Sequence, residues 1–200
     1  LSSQSDIDDF SINYPGCTVI EGDLIIANEN IDNLAGLEVL IGVEGNLVIG
    51  DDAIANLNLT SLSGLHNIFL IGGNLEIQNN DALTNLAAFS STHSVSGDLI
   101  IDNNDAITNL LAFENLVIDS LENITITNNI ALSYCNVESL CEYLLSPNGI
   151  LTISGNAGDC ATQLEVENAC ANGGCFPSGI IFASQADIDQ FPINNPDCQV

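Results

Sequence analysis

Residues 97–110 read Gly97-Asp98-Leu99-Ile100-Ile101-Asp102-Asn103-Asn104-Asp105-Ala106-Ile107-Thr108-Asn109-Leu110, and the first five decide the fold. Leu99 and Ile101 flank Ile100, the alternation of a strand with one buried face. The phrase also stands at Gly22-Asp23-Leu24-Ile25-Ile26, Gly45-Asn46-Leu47-Val48-Ile49 and Gly73-Asn74-Leu75-Glu76-Ile77. Weaker copies are Asn123-Ile124-Thr125-Ile126 and Ile150-Leu151-Thr152-Ile153. Their first aliphatic residues fall at 24, 47, 75, 99, 124 and 151, with spacings of 23, 28, 24, 25 and 27. A unit this short cannot bury its own apolar face, so each must stack on its neighbours. The expectation is a mainly β chain wound as a parallel β-solenoid of about six coils.

Four residues after each first aliphatic comes an amide or acid: Asn28, Asp51, Asn79, Asn103 and Asn128. Asparagine bonds nearby backbone with its side chain and tolerates unusual turn geometry, so stacked corners are expected to align these residues as a ladder. A second aliphatic follows at Ile31, Ile54, Leu83, Ile107 and Leu132, and Asn-Leu pairs follow at 33–34, 56–57, 85–86 and 109–110. These predict another wall of each coil.

The end of the chain repeats its beginning. Residues 1–19 and 182–200 are identical at 11 of 19 positions, at an offset of 181. The simplest reading is one module followed by the opening of the next. Residues 1–19 would form an N-terminal cap, 20–134 the coils, 135–174 a C-terminal cap with the last coil, and 175–200 a linker and the start of the next module. Ser3 with Asp6 predicts a helix N-terminus, stopped by Pro15-Gly16. Asn136 is placed to cap a helix running through Ser146, and Thr162 with Glu165 repeats the capping pattern before Cys170. A solenoid needs such lids, because an open end exposes apolar side chains and unpaired strand edges.

Seven cysteines with no zinc-type pair predict disulfides and an extracellular, oxidising setting. By the offset, Cys198 is the copy of Cys17, and Cys175–Cys198 is a predicted staple. Cys17 would then pair with a cysteine of the preceding module. Cys135, Cys141, Cys160 and Cys170 leave three pairings open.

Composition excludes whole classes of function. Of 200 residues, 27 are acidic and none is Lys or Arg, a formal charge of −27. Nothing can neutralise nucleic-acid phosphates or an anionic membrane surface. Catalysis through an arginine clamp or a Schiff-base lysine is equally out of reach. No apolar run is long enough to span a bilayer, so direct membrane insertion is not expected. With no Met in the chain, residue 1 is expected to follow a processed or excerpted segment.

Several phrases resemble the receptor L-domain-like leucine-rich repeat modules of large secreted surface proteins of Bacteroidetes. They are Tyr14-Pro15-Gly16-Cys17, Asn80-Asp81-Ala82-Leu83-Thr84-Asn85-Leu86, Ser146-Pro147-Asn148-Gly149, Ser184-Gln185-Ala186-Asp187-Ile188-Asp189 and the recurring Gly-Asp-Leu-Ile-Ile. The resemblance implies a right-handed coil of leucine-rich type, export by the type IX route, and a place in long adhesins of attachment and gliding. It supplies no catalytic residues.

Candidate sites are few. His66 and His93 lie in different units without ligand-type spacing, which reads as surface histidines. Pectin-cleaving β-helices use carboxylate clusters, but here the equivalent strand positions include Ile25, Val48 and Thr125, and no cation is present to bind a uronic acid. Asp51, Asp52, Asp81, Asp102 and Asp105 gather in the corners as candidate Ca2+ ligands, against the plainer reading of a solvated turn ladder. The outward face of the main sheet is expected to carry Asp23, Ile25, Asn46, Val48, Asn74, Glu76, Asp98, Ile100, Asp102, Asn123 and Thr125, a candidate surface for glycans or proteins. Asp119-Ser120-Leu121 resembles the short O-glycan acceptor of that bacterial group, making Ser120 a candidate modification site. The function expected is a structural repeat module of an extracellular fibre or adhesin, non-enzymatic, with copies of itself as end-to-end partners. The alternative is a ligand-binding module using the main sheet.

Overall fold

The computed structural model describes residues 1–51 and 56–173. All six repeated phrases are strands: β2 (Leu24–Ile26), β4 (Leu47–Ile49), β6 (Leu75–Gln78), β8 (Leu99–Asp102), β9 (Ile124–Thr127) and β10 (Leu151–Ser154). They form one parallel sheet in the order β10-β9-β8-β6-β4-β2. Leu24, Leu47, Leu75, Leu99, Ile124 and Leu151 stand in register across it. So do Ile26, Ile49, Ile77, Ile101, Ile126 and Ile153, a column buried throughout.

A second parallel sheet, β1-β3-β5-β7, comes from two-residue strands: β1 (Val19–Ile20), β3 (Gly42–Val43), β5 (Leu70–Ile71) and β7 (Ser94–Val95). The chain therefore alternates between the sheets from β1 to β8. Short 3-10 turns at Ala35–Leu37, Ser63–Leu65, Ala87–Ser91 and Leu111–Phe113 supply further core residues. Leu37, Leu65, Phe89 and Phe113 are buried there, and the two phenylalanine rings stack 6.1 Å apart. With four short helices, the described chain is a mainly β parallel fold.

The predicted wall holds at Ile31, Leu34, Leu83, Leu86, Ile107, Leu110 and Leu132, all buried. The second unit departs from it. Ile54 lies outside the described residues, and Leu57 is 51% exposed. Leu59 and Leu62 are buried in its place, and Leu59 bonds Asn56 as Leu83 bonds Asn80. The extra length of the 28-residue spacing therefore lies ahead of Asn56.

The corner ladder exists and includes Asn28 as predicted, but it runs through Asn56 in place of Asp51 and, in the next three units, one residue further on than predicted. Asn79, Asn103 and Asn128 have φ of 56°, 54° and 57°, the left-handed geometry that Gly50 and Gly155 supply in other units. The next residues, Asn80, Asn104 and Asn129, are fully buried with Asn56 and form the ladder with Asn28 and Asn156. Asn104 donates its main-chain N–H to Asn129 Oδ1 at 2.9 Å, and its amide nitrogen reaches the carbonyls of Ile77 and Asp102 at 2.9 and 3.0 Å. The two duties expected of one asparagine are divided between neighbours.

At the N-terminal end, α1 (Gln4–Asp8) and α2 (Phe10–Asn13) replace the single helix expected up to Pro15, with a break at Asp9. Ser3 Oγ accepts the Asp6 N–H at 3.2 Å, as predicted. The Asp6 carboxylate reaches further back, to the Ser2 N–H at 3.0 Å. That main-chain bond, then the Ser3 side chain, holds its pKa below the ordinary carboxylate value. Ile7 and Phe10 are buried in the core. Gly36 permits the close approach, since a Cβ there would sit 1.8 Å from the Ile7 carbonyl oxygen.

At the other end lie α3 (Glu138–Leu145) and α4 (Gln163–Gly173). Asn136 does not cap α3. Val137 occupies the cap position with no side-chain bond, and Glu114 of the preceding unit accepts the Glu138 N–H at 3.2 Å. Ser146 ends the helix as predicted. Thr162 and Glu165 form the predicted capping pair, with Thr162 Oγ1 donating to Glu165 Oε2 at 3.0 Å and accepting its N–H at 3.3 Å. Among the described residues no helix is long and apolar enough to cross a membrane.

Candidate functional site

The outward face of the six-stranded sheet carries Ile25, Val48, Glu76, Ile100 and Thr125 in one row, in register across five strands. Ile25 is 46% exposed and the others are partly covered. Glu76 is tied to its own strand. Its oxygens accept from Asn74 Nδ2 at 3.2 Å and from Gln78 Nε2 at 3.1 Å.

Five other predicted face residues do different work. Asp23, Asn46, Asn74, Asp98 and Asn123 stand just before the strands and link the units through side chain and backbone. Asp23 Oδ1 accepts the Asn46 N–H at 2.7 Å, and Asn46 accepts from Asn74 at 2.8 Å. Asn74 accepts from Asp98, Asp98 from Asn123, and Asn123 from Ile150, at 2.9, 2.9 and 2.8 Å. This explains the glycine in three of the phrases: a Cβ at Gly45, Gly73 or Gly97 would lie 2.4, 2.4 or 2.3 Å from the accepting oxygen of the unit before, whereas Gly22, in the first unit, has no such neighbour. A binding-face position and a structural rung look alike in sequence, because both are polar and both alternate.

Asp102 is the eleventh face residue and also a candidate metal ligand. Its Oδ1 accepts from Thr127 Oγ1 at 2.5 Å and from Asn128 Nδ2 at 3.0 Å. Asp81 is exposed and Asp105 partly so. Asp52 lies outside the described residues. Among the described residues, no three Asp, Glu, His or Cys side chains are grouped to hold a metal ion.

His66 is exposed, its Nδ1 against the Ser63 carbonyl, and His93 lies flat on Phe69 with ring centroids 5.0 Å apart. Ser120 is at the surface, donating to the Val95 carbonyl at 3.1 Å. Tyr143 is fully buried, with its hydroxyl between the Glu122 carbonyl and the Gly149 N–H. Burial, the larger cause, raises its pKa above the ordinary phenol value.

The three open pairings reduce to one. Cys135 bonds Cys160, and Cys141 bonds Cys170, each with Cα atoms 5.5 Å apart. The first ties two units together and the second ties α3 to α4. Cys17 is partly exposed and carries no disulfide among the described residues. Cys175 and Cys198 lie outside them.

One surface had no counterpart in the sequence reading. Over the four-stranded sheet, Val19, Ile41, Phe69 and Leu70 are 37 to 52% exposed and line a groove of about 500 Å3 floored by Gly42 and Ser94. The signal was the run Ile68-Phe69-Leu70-Ile71. A strand cannot turn four successive apolar side chains inward.

Comparison of the chain with protein-family models, curated proteins and solved structures returns no match.

Proposed function

We propose that this chain is a structural repeat module of an extracellular surface fibre or adhesin, acting mechanically and not as an enzyme. Its units wind as a right-handed parallel β-solenoid of the leucine-rich, receptor L-domain type, with about six coils. The observation that carries this reading is the pair of side-chain ladders. Asp23, Asn46, Asn74, Asp98 and Asn123 run up one edge of the strands, and Asn56, Asn80, Asn104, Asn129 and Asn156 up the other. They join successive units along the stacking direction, which gives a rod its resistance to bending and fraying.

The repetition of residues 1–19 at 182–200 supports tandem continuation, and the two disulfides support an oxidising setting outside the cell. With no Lys or Arg, trypsin-type proteases find no cleavage site. Partners under this reading are neighbouring copies, end to end, with adhesion a property of the whole array.

The second reading, binding of a glycan or protein, is expected on the main sheet; the observation in its favour lies instead over the four-stranded sheet, where the groove around Phe69 and Leu70 is an exposed apolar surface.

Small-angle scattering of a two-module protein, residues 1–181 continued by residues 1–200, tests the proposal. A stiff array roughly doubles the maximum dimension and shows a rod-like cross-section. Two modules tumbling independently would sink it. The mass of the native polypeptide after reduction and denaturation adds a second reading: far above 21.0 kDa for a covalent array, near it for subunits that assemble by docking.

A further inference from the structure

We infer that the free edge of β2 receives, as an added parallel strand, the segment that precedes residue 1 in the tandem order, and that this segment's cysteine pairs with Cys17. The segment is the counterpart of residues 175–181, Cys175-Phe176-Pro177-Ser178-Gly179-Ile180-Ile181, because residue 182 corresponds to residue 1 at the offset of 181. The inference rests on the tandem reading and deepens it by naming the joint.

β2 is the last strand of the six-stranded sheet, so one of its edges is unpaired among the described residues. In a parallel ladder alternate residues direct their N–H and C=O to opposite sides. The Leu24 N–H bonds the Asn46 carbonyl and the Ile26 carbonyl accepts from Gly50, so Leu24 and Ile26 face β4. Ile25 faces outward. Its carbonyl already accepts a bond, at 2.5 Å, from the nitrogen of Leu1. That nitrogen becomes an ordinary amide once a residue precedes it, and it keeps an N–H to donate. The contact is therefore the first rung of a main-chain ladder. The parallel pattern also uses the outward Ile25 N–H, which would donate to the carbonyl of the counterpart of Ile180.

The side chains agree. Leu1, Phe10, Tyr14, Cys17, Ile20 and Leu24 are among those lining a groove of about 220 Å3 against this edge, roofed by nothing in the described chain. The incoming segment is apolar at Phe176, Ile180 and Ile181 and uncharged throughout, so it enters this strongly acidic molecule without adding repulsion. Cys17 lies eight residues ahead of Ile25, and the incoming cysteine lies six ahead of the residue that precedes Leu1. Cys17 lines the same groove as Leu1 and Ile25, and six residues reach up to about 20 Å, enough to bring the incoming sulfur to it. In forming the bond each thiol gives up its proton, and the pair gives two electrons to a disulfide oxidant such as oxidised glutathione, which is released as two thiols.

Two proteins test this: the 200-residue chain, and the same chain with Cys-Phe-Pro-Ser-Gly-Ile-Ile fused before Leu1. Both are refolded in a glutathione buffer, alkylated, and mapped with pepsin without reduction. The expected result is Cys17 alkylated in the first and linked to the added cysteine in the second, with exchange of the outward Ile25 amide slowed at least about tenfold. A third protein, with serine for the added cysteine, is expected to keep the slowed exchange. Cys17 still alkylated, or exchange unchanged, overturns the inference, since it requires both. The scattering experiment is independent: a stiff two-module rod with a free Cys17 would leave the fibre reading standing and remove this joint alone.

Discussion

Asn103 and Asn104 are adjacent and chemically identical, yet substitutions should separate them. Asn103 is held at φ 54°, a geometry glycine adopts without strain, and its Nδ2 bond to Asn79 lies near the surface. Asn104 is fully buried, and its side chain satisfies the carbonyls of Ile77 and Asp102 while accepting from Asn80. Asn104→Ala should therefore lower stability by about 2 to 4 kcal/mol, because buried backbone groups lose their partners. Asn103→Gly should stay within about 1 kcal/mol of the parent. Urea unfolding of both variants checks the contrast, and equal losses would mean that the buried ladder is not what holds the corner.

At the scale of the element, the caps carry two further predictions. The first turn of α3 takes its cap from Glu114, which lies 24 residues away from Glu138. Glu114→Ala should cost about 0.5 to 2 kcal/mol, whereas Asn136→Ala, at the residue that looked like the cap, should leave the α3 amides exchanging as before. Exchange rates at residues 138–141 distinguish the two. In α1, the Asp6 pKa is depressed by the Ser2 N–H and the Ser3 side chain, so its contribution is present above the ordinary carboxylate value of about 3.9 and is lost as pH falls through the depressed value. An acid titration should show the Ser2 and Asp6 amide resonances shifting together, below the ordinary carboxylate range. These elements also show where the sequence was legible. The six main strands could be read because two aliphatics bracket each centre and the phrase recurs. The four-stranded sheet could not, since a strand of two residues, such as Gly42–Val43, is too short to display a period. The Glu114 cap was hidden because local capping patterns see only three residues ahead. Of the candidate face, Asp23, Asn46, Asn74, Asp98 and Asn123 were found by position and misread by role, since only the stacked neighbour reveals what each oxygen accepts.

For the whole molecule, charge makes an unusual prediction. With 27 acidic residues, no Lys or Arg and two histidines, folding packs like charges together with almost no ion pairs to compensate. Added salt weakens attraction and repulsion alike, but here there is almost only repulsion to weaken. Raising sodium chloride from about 0.01 M to about 0.15 M shortens the screening length from about 30 Å to about 8 Å, so the urea midpoint should rise steadily, with no fall at any concentration. A fall would mean that attractive pairs, which this composition can scarcely form, dominate the folded state. Divalent cations extend the test to the corner carboxylates. Magnesium and calcium both screen a polyanion more strongly than sodium, but a built oxygen site distinguishes them, since calcium accepts six to eight ligands and magnesium demands a tight octahedron. Asp102 already spends Oδ1 on Thr127 and Asn128, and no group of three ligating side chains converges among the described residues. Equal concentrations of the two chlorides should therefore give equal midpoints. If calcium instead adds stability that grows with the logarithm of its concentration, as saturable binding to the folded state requires, then the corner aspartates hold an ion, and the stacked units would owe part of their stability to it.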